Sequence, residues 1–326
     1  MNACSILFSN SFKWNQKLSH SLRWIKTSTK QTPAEYCLDL VRKHDYENFL
    51  CTLLLPNNLR SSAFAIRAFN TEVALVEDQA RDSKIALMRI KFWEETLNQI
   101  YADKPPKNPT SLELHRVLQK TKLTKQYFKR LIEARFNKLN LSTFPSLESL
   151  EKYAEHTVSS VYYLILEAHG IKDIDTDHFA SHLGKAHGIV TLIRSVPHNA
   201  KCRKMVLPQD ILMKYNVSSE SVLQGTSSKE LKDVIFEVSS RAKQHLDMAL
   251  SLKTRIKKGS HPVFLSHIIV EEYLIKLQKF DFDVFNPKLQ KRNSLLPLKL
   301  YWKKLFNRER ICFYRAYRHK YIGNMR

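Results

Sequence analysis

Glu72, Glu77 and Asp78 place three carboxylates within two turns of one apolar-periodic run. Carboxylates are what a hard divalent cation such as Mg²⁺ takes, with phosphate oxygens of a substrate completing its octahedron. At 3.6 residues per turn, however, Glu72 and Glu77 stand about 140° apart and form no single-face pair. They read more simply as helix-surface or salt-bridge residues. Much later in the chain Arg194, Ser195, His198 and Asn199 bring a guanidinium, a hydroxyl, an imidazole and an amide to the end of a second such run. Neutral oxygens assist a cation without replacing a formal charge, and histidine is a poor magnesium ligand. Arg194 has the reach to pair with Asp78 or with a neighbouring helix, as an ion pair holding two helices together.

Other chemistry-bearing clusters are thinner. His178 and His182 have the i, i+4 spacing of a metal pair, with His187 following and Asp173, Asp175 and Asp177 just before. The aspartates suit helix capping and the helix dipole, and no closed ligand set is visible, so no metal and no cofactor are expected. The five cysteines, Cys4, Cys37, Cys51, Cys202 and Cys312, include no Cys-x-x-Cys and no disulfide framework. Glycine-rich phosphate loops and serine nucleophile elbows are absent.

The elements that must carry these residues read as helices throughout. Only six glycines occur in 326 residues, which leaves few positive-φ turns. Thr32-Pro33-Ala34-Glu35 is a capping box with proline at the first helical position, and Ser146 opens another helix after Pro145. Apolar spacing predicts helices near 34–43, 45–54, 58–80, 84–101, 110–120, 124–138, 147–168, 176–196, 208–214, 228–257 and 261–279. Pro105-Pro106, Pro145, Gly170, Pro197, Gly225, Gly259 and Pro287 mark the expected joints. Ala180, Gly184 and Gly188 form a small-residue stripe that lets a neighbouring helix approach closely. No linker-like composition divides residues 33–287, so one all-α domain is expected there.

Two stretches carry a family resemblance. Ala65-Ile66-Arg67-Ala68-Phe69-Asn70-Thr71-Glu72-Val73-Ala74-Leu75-Val76-Glu77-Asp78 resembles the first aspartate-rich helix of squalene and phytoene synthases. Gly184-Lys185-Ala186-His187 through Arg194-Ser195-Val196-Pro197-His198-Asn199, followed by Lys204-Met205-Val206-Leu207-Pro208, is similar to the second. The resemblance implies a trans-isoprenyl diphosphate synthase-like helical fold. It also implies that Ala74, Asp78, Ser195 and Asn199 stand where that family carries metal-binding aspartates, with Glu72 and Arg194 beside them. Three of these four positions lack a carboxylate, and His198 stands where another acid is common. Losing such ligands removes the chief electrostatic support for diphosphate departure. Asp45 through Pro56, with Arg67-Ala68-Phe69-Asn70, is similar to a mitochondrial branch of the family that assembles respiratory complex I without catalysis. Its members have complex I subunits or assembly intermediates as partners. The alternatives are an isoprenoid-diphosphate transferase with a reduced magnesium site, or a non-catalytic isoprenoid- or lipid-binding protein.

The two ends concentrate the charge. Of a formal net charge of +22, residues 1–32 contribute five basic and no acidic side chains, the composition of a mitochondrial transit peptide. Residues 288–326 carry twelve basic side chains against Glu309 alone, leaving 36 basic and 30 acidic groups in 33–287. In this tail Leu298, Tyr301, Trp302 and Leu305 fall on one helical face, with Lys303 and Lys304 beside them. Such a helix suits peripheral contact with an anionic membrane, here the matrix side of the inner membrane, with packing on the body as the alternative. Nucleic acid is not an expected partner, since no recognition module accompanies the basic residues. No apolar run approaches the roughly 20 residues that span a bilayer.

Overall fold

The computed structural model describes residues 31–80, 82–141 and 143–306. The transit-peptide expectation therefore falls almost wholly outside the described residues, as does the end of the basic tail.

Every regular element among the described residues is helical. The chain begins with α1 (Pro33–His44), α2 (Tyr46–Leu53), α3 (Asn57–Gln79), α4 (Ser83–Tyr101), α5 (Pro109–Leu118) and α6 (Lys125–Leu139). Thr32 caps α1 with the reciprocal Glu35 bond that its sequence predicts. Asp82 and Asn108 do the same one-way service for α4 and α5, accepting from Ile85 and Ser111 backbone N–H groups. The second half comprises α7 (Leu147–Ala154), α8 (Ser160–Ala168), α9 (Ile174–Lys201), α10 (Gln209–Lys214), α11 (Ser219–Leu223), α12 (Lys229–Ser251), α13 (His267–Lys279) and α14 (Leu296–Phe306).

The helices enclose one principal core running from Leu55 to Leu289. Phe69 of α3 sits inside it, edge-on to Trp93 at 5.5 Å and to Phe128 at 5.1 Å between ring centroids. Such pairs add roughly 0.5–1.5 kcal/mol beyond the area buried.

The long α9 is the axis against which α7, α8 and α12 pack. Between α7 and α8 the expected single helix contains a π turn over Glu155–Ser159, which lies against the small-residue stripe of α9. A Cβ at Gly184 would come within 2.6 Å of the Ser159 Cα, and one at Gly188 within 2.8 Å of the Ala154 Cα. Glycine at both positions is therefore a packing requirement.

Pro197 does not end α9 as its type suggests. The helix continues to Lys201 with Pro197 inside, although an interior proline costs about 3 kcal/mol. Val196 and Ala200, both buried, flank it and anchor the final turns in the core. Two further boundaries differ. Helix α12 stops at Ser251 instead of 257, and the segment expected to open α13 at 261 is a short 3₁₀ turn, His261–Phe264, led by Pro262.

Helix α14 folds back onto the body. Leu296 and Leu300 are buried with Cys51, Leu265, Ile268 and Ile269, and Lys299 and Asn293 both reach Glu272, at 2.6 and 2.7 Å.

Candidate functional site

The first carboxylate group does not converge. On α3, Glu72 accepts a hydrogen bond from the Tyr36 hydroxyl at 2.8 Å and a longer one from Thr110 at 3.4 Å, so it ties α1 and α5 to α3. Glu77 faces another way and is clasped by Lys138 of α6 at 2.9 Å and Lys204 at 3.1 Å. Burial alone would raise the Glu77 carboxyl pKa, but the two ammonium groups hold it below its ordinary value. Ala74 and Asp78 are exposed on the same helix, and the Asp78 charge is felt by His44 at the end of α1.

At the end of α9 the polar side chains turn back onto their own helix. Ser195 Oγ donates to the Leu192 carbonyl at 2.7 Å and Asn199 Nδ2 donates to the Ser195 carbonyl at 3.0 Å. Both bonds lie beside Pro197, whose missing N–H disrupts the ladder there. Arg194 does not pair with Asp78. Its guanidinium donates to Glu47 of α2 and lies over the Tyr273 ring, 5.7 Å from the centroid.

This donor set does not fit a magnesium pair. Ala74 offers no donor atom, Ser195 and Asn199 offer only neutral oxygens, and Asp78 supplies one exposed carboxylate. Among the described residues no group of three or more His, Cys, Asp or Glu is arranged to hold a metal. The His178–His182 pair is likewise not assembled as one. His182 Nδ1 instead lies 3.0 Å from His245 Nδ1 on α12.

Sequence reasoning missed the polar knot beneath α2. Asp45, at the start of α2, is half-buried beside the buried Arg67, 3.8 Å away, and accepts from Asn48 Nδ2 at 2.9 Å. Burial pushes its carboxyl pKa up, with Arg67 pulling the other way. Next to it Tyr162 Oη lies 2.8 Å from His187 Nδ1 and 2.5 Å from Ser266 Oγ. Burial, reinforced by the Arg67 and Arg194 charges, pushes the His187 pKa down to about 3, so the ring is neutral. Arg67 lies within the Ala65–Asp78 stretch, but its partner follows from helix packing and not from spacing.

Two concavities among the described residues bear on these positions. One, about 380 Å³, is lined by Glu77, Lys138, Leu141, Phe144, Arg203 and Lys204 among others. The other, about 70 Å³, lies between α9, the 3₁₀ turn and α14. The tail residues read as membrane contacts are displayed outward: Leu298 is 68% exposed, Tyr301 53%, Trp302 64% and Leu305 55%, with Lys304 exposed and Lys303 half-buried. No helix among the described residues is long and apolar enough to cross a membrane.

Comparison with known proteins places this geometry. The structure is similar to that of squalene synthase HpnC from Alicyclobacillus acidocaldarius, with a TM-score of 0.68 at 19% identity over 77% of this chain and 95% of that one. It is also similar to a dehydrosqualene synthase, with a TM-score of 0.72 at 16% identity over 84% and 95% of the two chains. In sequence it is 45% identical over 274 residues, 83% of this chain and 82% of the relative, to "NADH dehydrogenase (ubiquinone) complex I, assembly factor 6" of Bos taurus. Residues 41–298 match the family model for squalene/phytoene synthase, and the chain belongs to the squalene/phytoene synthase family.

Proposed function

We propose that this protein is a non-catalytic assembly factor for mitochondrial respiratory complex I. The observation that carries the reading is the extended identity with a relative named for that role. The donor chemistry supports its non-catalytic part. Ala74, Ser195 and Asn199, taken as vestigial metal positions, cannot supply the anionic oxygens Mg²⁺ requires, and Asp78 alone cannot hold a diphosphate bridge. Removing a single electrostatic donor of a transition state costs about 10²–10³ in rate, so three such losses leave little of a diphosphate transfer. The partners are complex I subunits or assembly intermediates. The location is the matrix side of the inner membrane, reached through the transit-peptide composition of residues 1–32 and held peripherally by the outward face of α14.

Purified protein given an isoprenoid diphosphate and Mg²⁺ should release no diphosphate above the protein-free rate. Sustained release that is lost in Asp78→Ala would contradict the non-catalytic reading. Removal of residues 298–326 should weaken membrane sedimentation in a salt-dependent way, whereas unchanged sedimentation would contradict the role given to α14.

A further inference from the structure

We infer that α13 and the segment leading into α14 form a second half of the contact with an anionic lipid surface, with Ile275 and Leu295 entering the interface. The inference rests on the peripheral-membrane reading and fixes which side of the helical body faces the lipid.

Helix α14 is fastened to the body and not a free anchor. Leu296 and Leu300 are buried in one cluster with Ile268 of α13, Lys299 and Asn293 both donate to Glu272, and Arg292 lies over the Tyr46 ring, 5.1 Å from its centroid. A helix held in this way carries the body with it when its outward face meets a membrane. Ile268 and Ile275 are seven residues apart, about two turns, and so share one face of α13. That face is covered by α14 at Ile268 and emerges at Ile275, which is 48% exposed. Glu272, which receives both bonds from the α14 side, lies one turn before it. Leu295, at the entry to α14, is 59% exposed. Ile275 and Leu295 therefore carry the apolar stripe of α14 across onto α13.

Charge selects the partner. Residues 286–306 hold six lysine or arginine side chains and no acid, and Lys279, Lys288, Lys291 and Arg292 are exposed beside the stripe. The carboxylates near them have other work. Glu272 is held by Lys299 and Asn293, Asp281 is paired with Lys232 at 3.0 Å, and Asp283 accepts from Ser227 at 2.9 Å, while Glu271 is half-buried. Apolar side chains flanked by lysines suit a surface that places acyl carbon beneath anionic headgroups. Helix α4 offers the contrast. It also exposes two large apolar side chains, Met88 and Phe92, but it packs on α3, α5 and α6, and Asp82, Glu94 and Glu95 stand among its lysines.

The test sets these two sides of the body against each other. The full chain is titrated with phosphatidylcholine vesicles containing phosphatidylglycerol, at about 0.1 M salt, where charge acts over about 10 Å. Wild type is compared with Lys279→Gln/Lys291→Gln and Ile275→Ser, and with the matched α4 variants Lys84→Gln/Lys91→Gln and Phe92→Ser, all at exposed positions. A lysine close to an anionic surface is worth about fivefold in binding, so Lys279→Gln/Lys291→Gln should bind about tenfold or more weakly. Ile275→Ser should lose about fivefold through its apolar burial, and both α4 variants should stay near wild type. Binding like wild type by either Lys279→Gln/Lys291→Gln or Ile275→Ser overturns the second contact and leaves attachment through α14 standing. Equal weakening by the lysine variants of both sides reduces the effect to net charge and overturns it too. Failure of wild type to bind overturns the membrane reading itself. Unchanged vesicle binding by Lys279→Gln/Lys291→Gln, with loss of complex I restoration in cells, would assign this surface to an acidic protein and overturn the lipid. Melting curves and helical circular dichroism establish that the variants fold. Lys291→Gln alone, expected to lose about fivefold, replaces the double variant if that does not.

Discussion

Lys204 Nζ stands 3.1 Å from Glu77 Oε1, so the end of the first acidic helix is joined directly to the segment that leaves α9. Lys138 completes the clasp from α6. A protein-borne cation thus links the two segments whose resemblance to a synthase would imply a bound metal. Glu77→Gln should destabilise the protein by about 1–2 kcal/mol, between the values for exposed and buried pairs, measured by urea unfolding. Because the folded-state pKa of Glu77 lies below its ordinary value, its contribution is present above pH 4.5 and is lost as pH falls through the folded pKa. The variant should lack that part of the acid response.

His187 gives a signature of the same sign that begins at higher pH. Its folded pKa of about 3 lies below the ordinary imidazole value of 6.5, so the unfolded chain binds the extra proton as pH falls between the two. Stability should decline across this window with a slope of about 1.4 kcal/mol per pH unit from this group. His187→Gln should flatten the decline between pH 6 and 4, and an unchanged pH profile would refute burial of a neutral ring.

Much of the architecture was legible in the sequence because its signals are local. Capping at Thr32 and Ser146, the helix period and the Gly184/Gly188 stripe each depend on residues a few positions apart. Pro197 misled because tertiary anchoring by Val196 and Ala200 overrides a local breaker. The motif residues themselves were legible, but their partners were not: Glu47 for Arg194, Asp45 for Arg67 and Tyr36 for Glu72 are all set by how separate helices dock. In the tail, Leu298, Tyr301, Trp302 and Leu305 declared one apolar face. Leu296 and Leu300, an i, i+4 pair on the opposite face, are what attach the helix to the body.

The stripe yields a packing prediction. Gly188→Ala would drive a methyl group into the Ala154 backbone, and overpacking of this kind typically costs about 1–3 kcal/mol. The melting temperature should fall accordingly, and more than for Ala180→Gly on the same helix.

Attachment of α14 is testable without membranes. Leu300 is fully buried, and Leu300→Ala should cost about 2–5 kcal/mol of docking energy, enough to free the helix. Limited proteolysis should then cut between residues 290 and 300 in the variant before it cuts wild type, with the main melting transition of the helical body retained.

Asp78→Ala should leave stability within about 0.5 kcal/mol, as for an exposed side chain with no critical contact. It also provides the most direct test of the central claim. In cells lacking this protein, fully assembled complex I is quantified on native gels after rescue with wild type or Asp78→Ala at equal protein levels. The expected result is a complex I defect without rescue and equal restoration by both forms. No defect in the absence of the protein, or restoration by wild type alone, would contradict a non-catalytic role in complex I assembly.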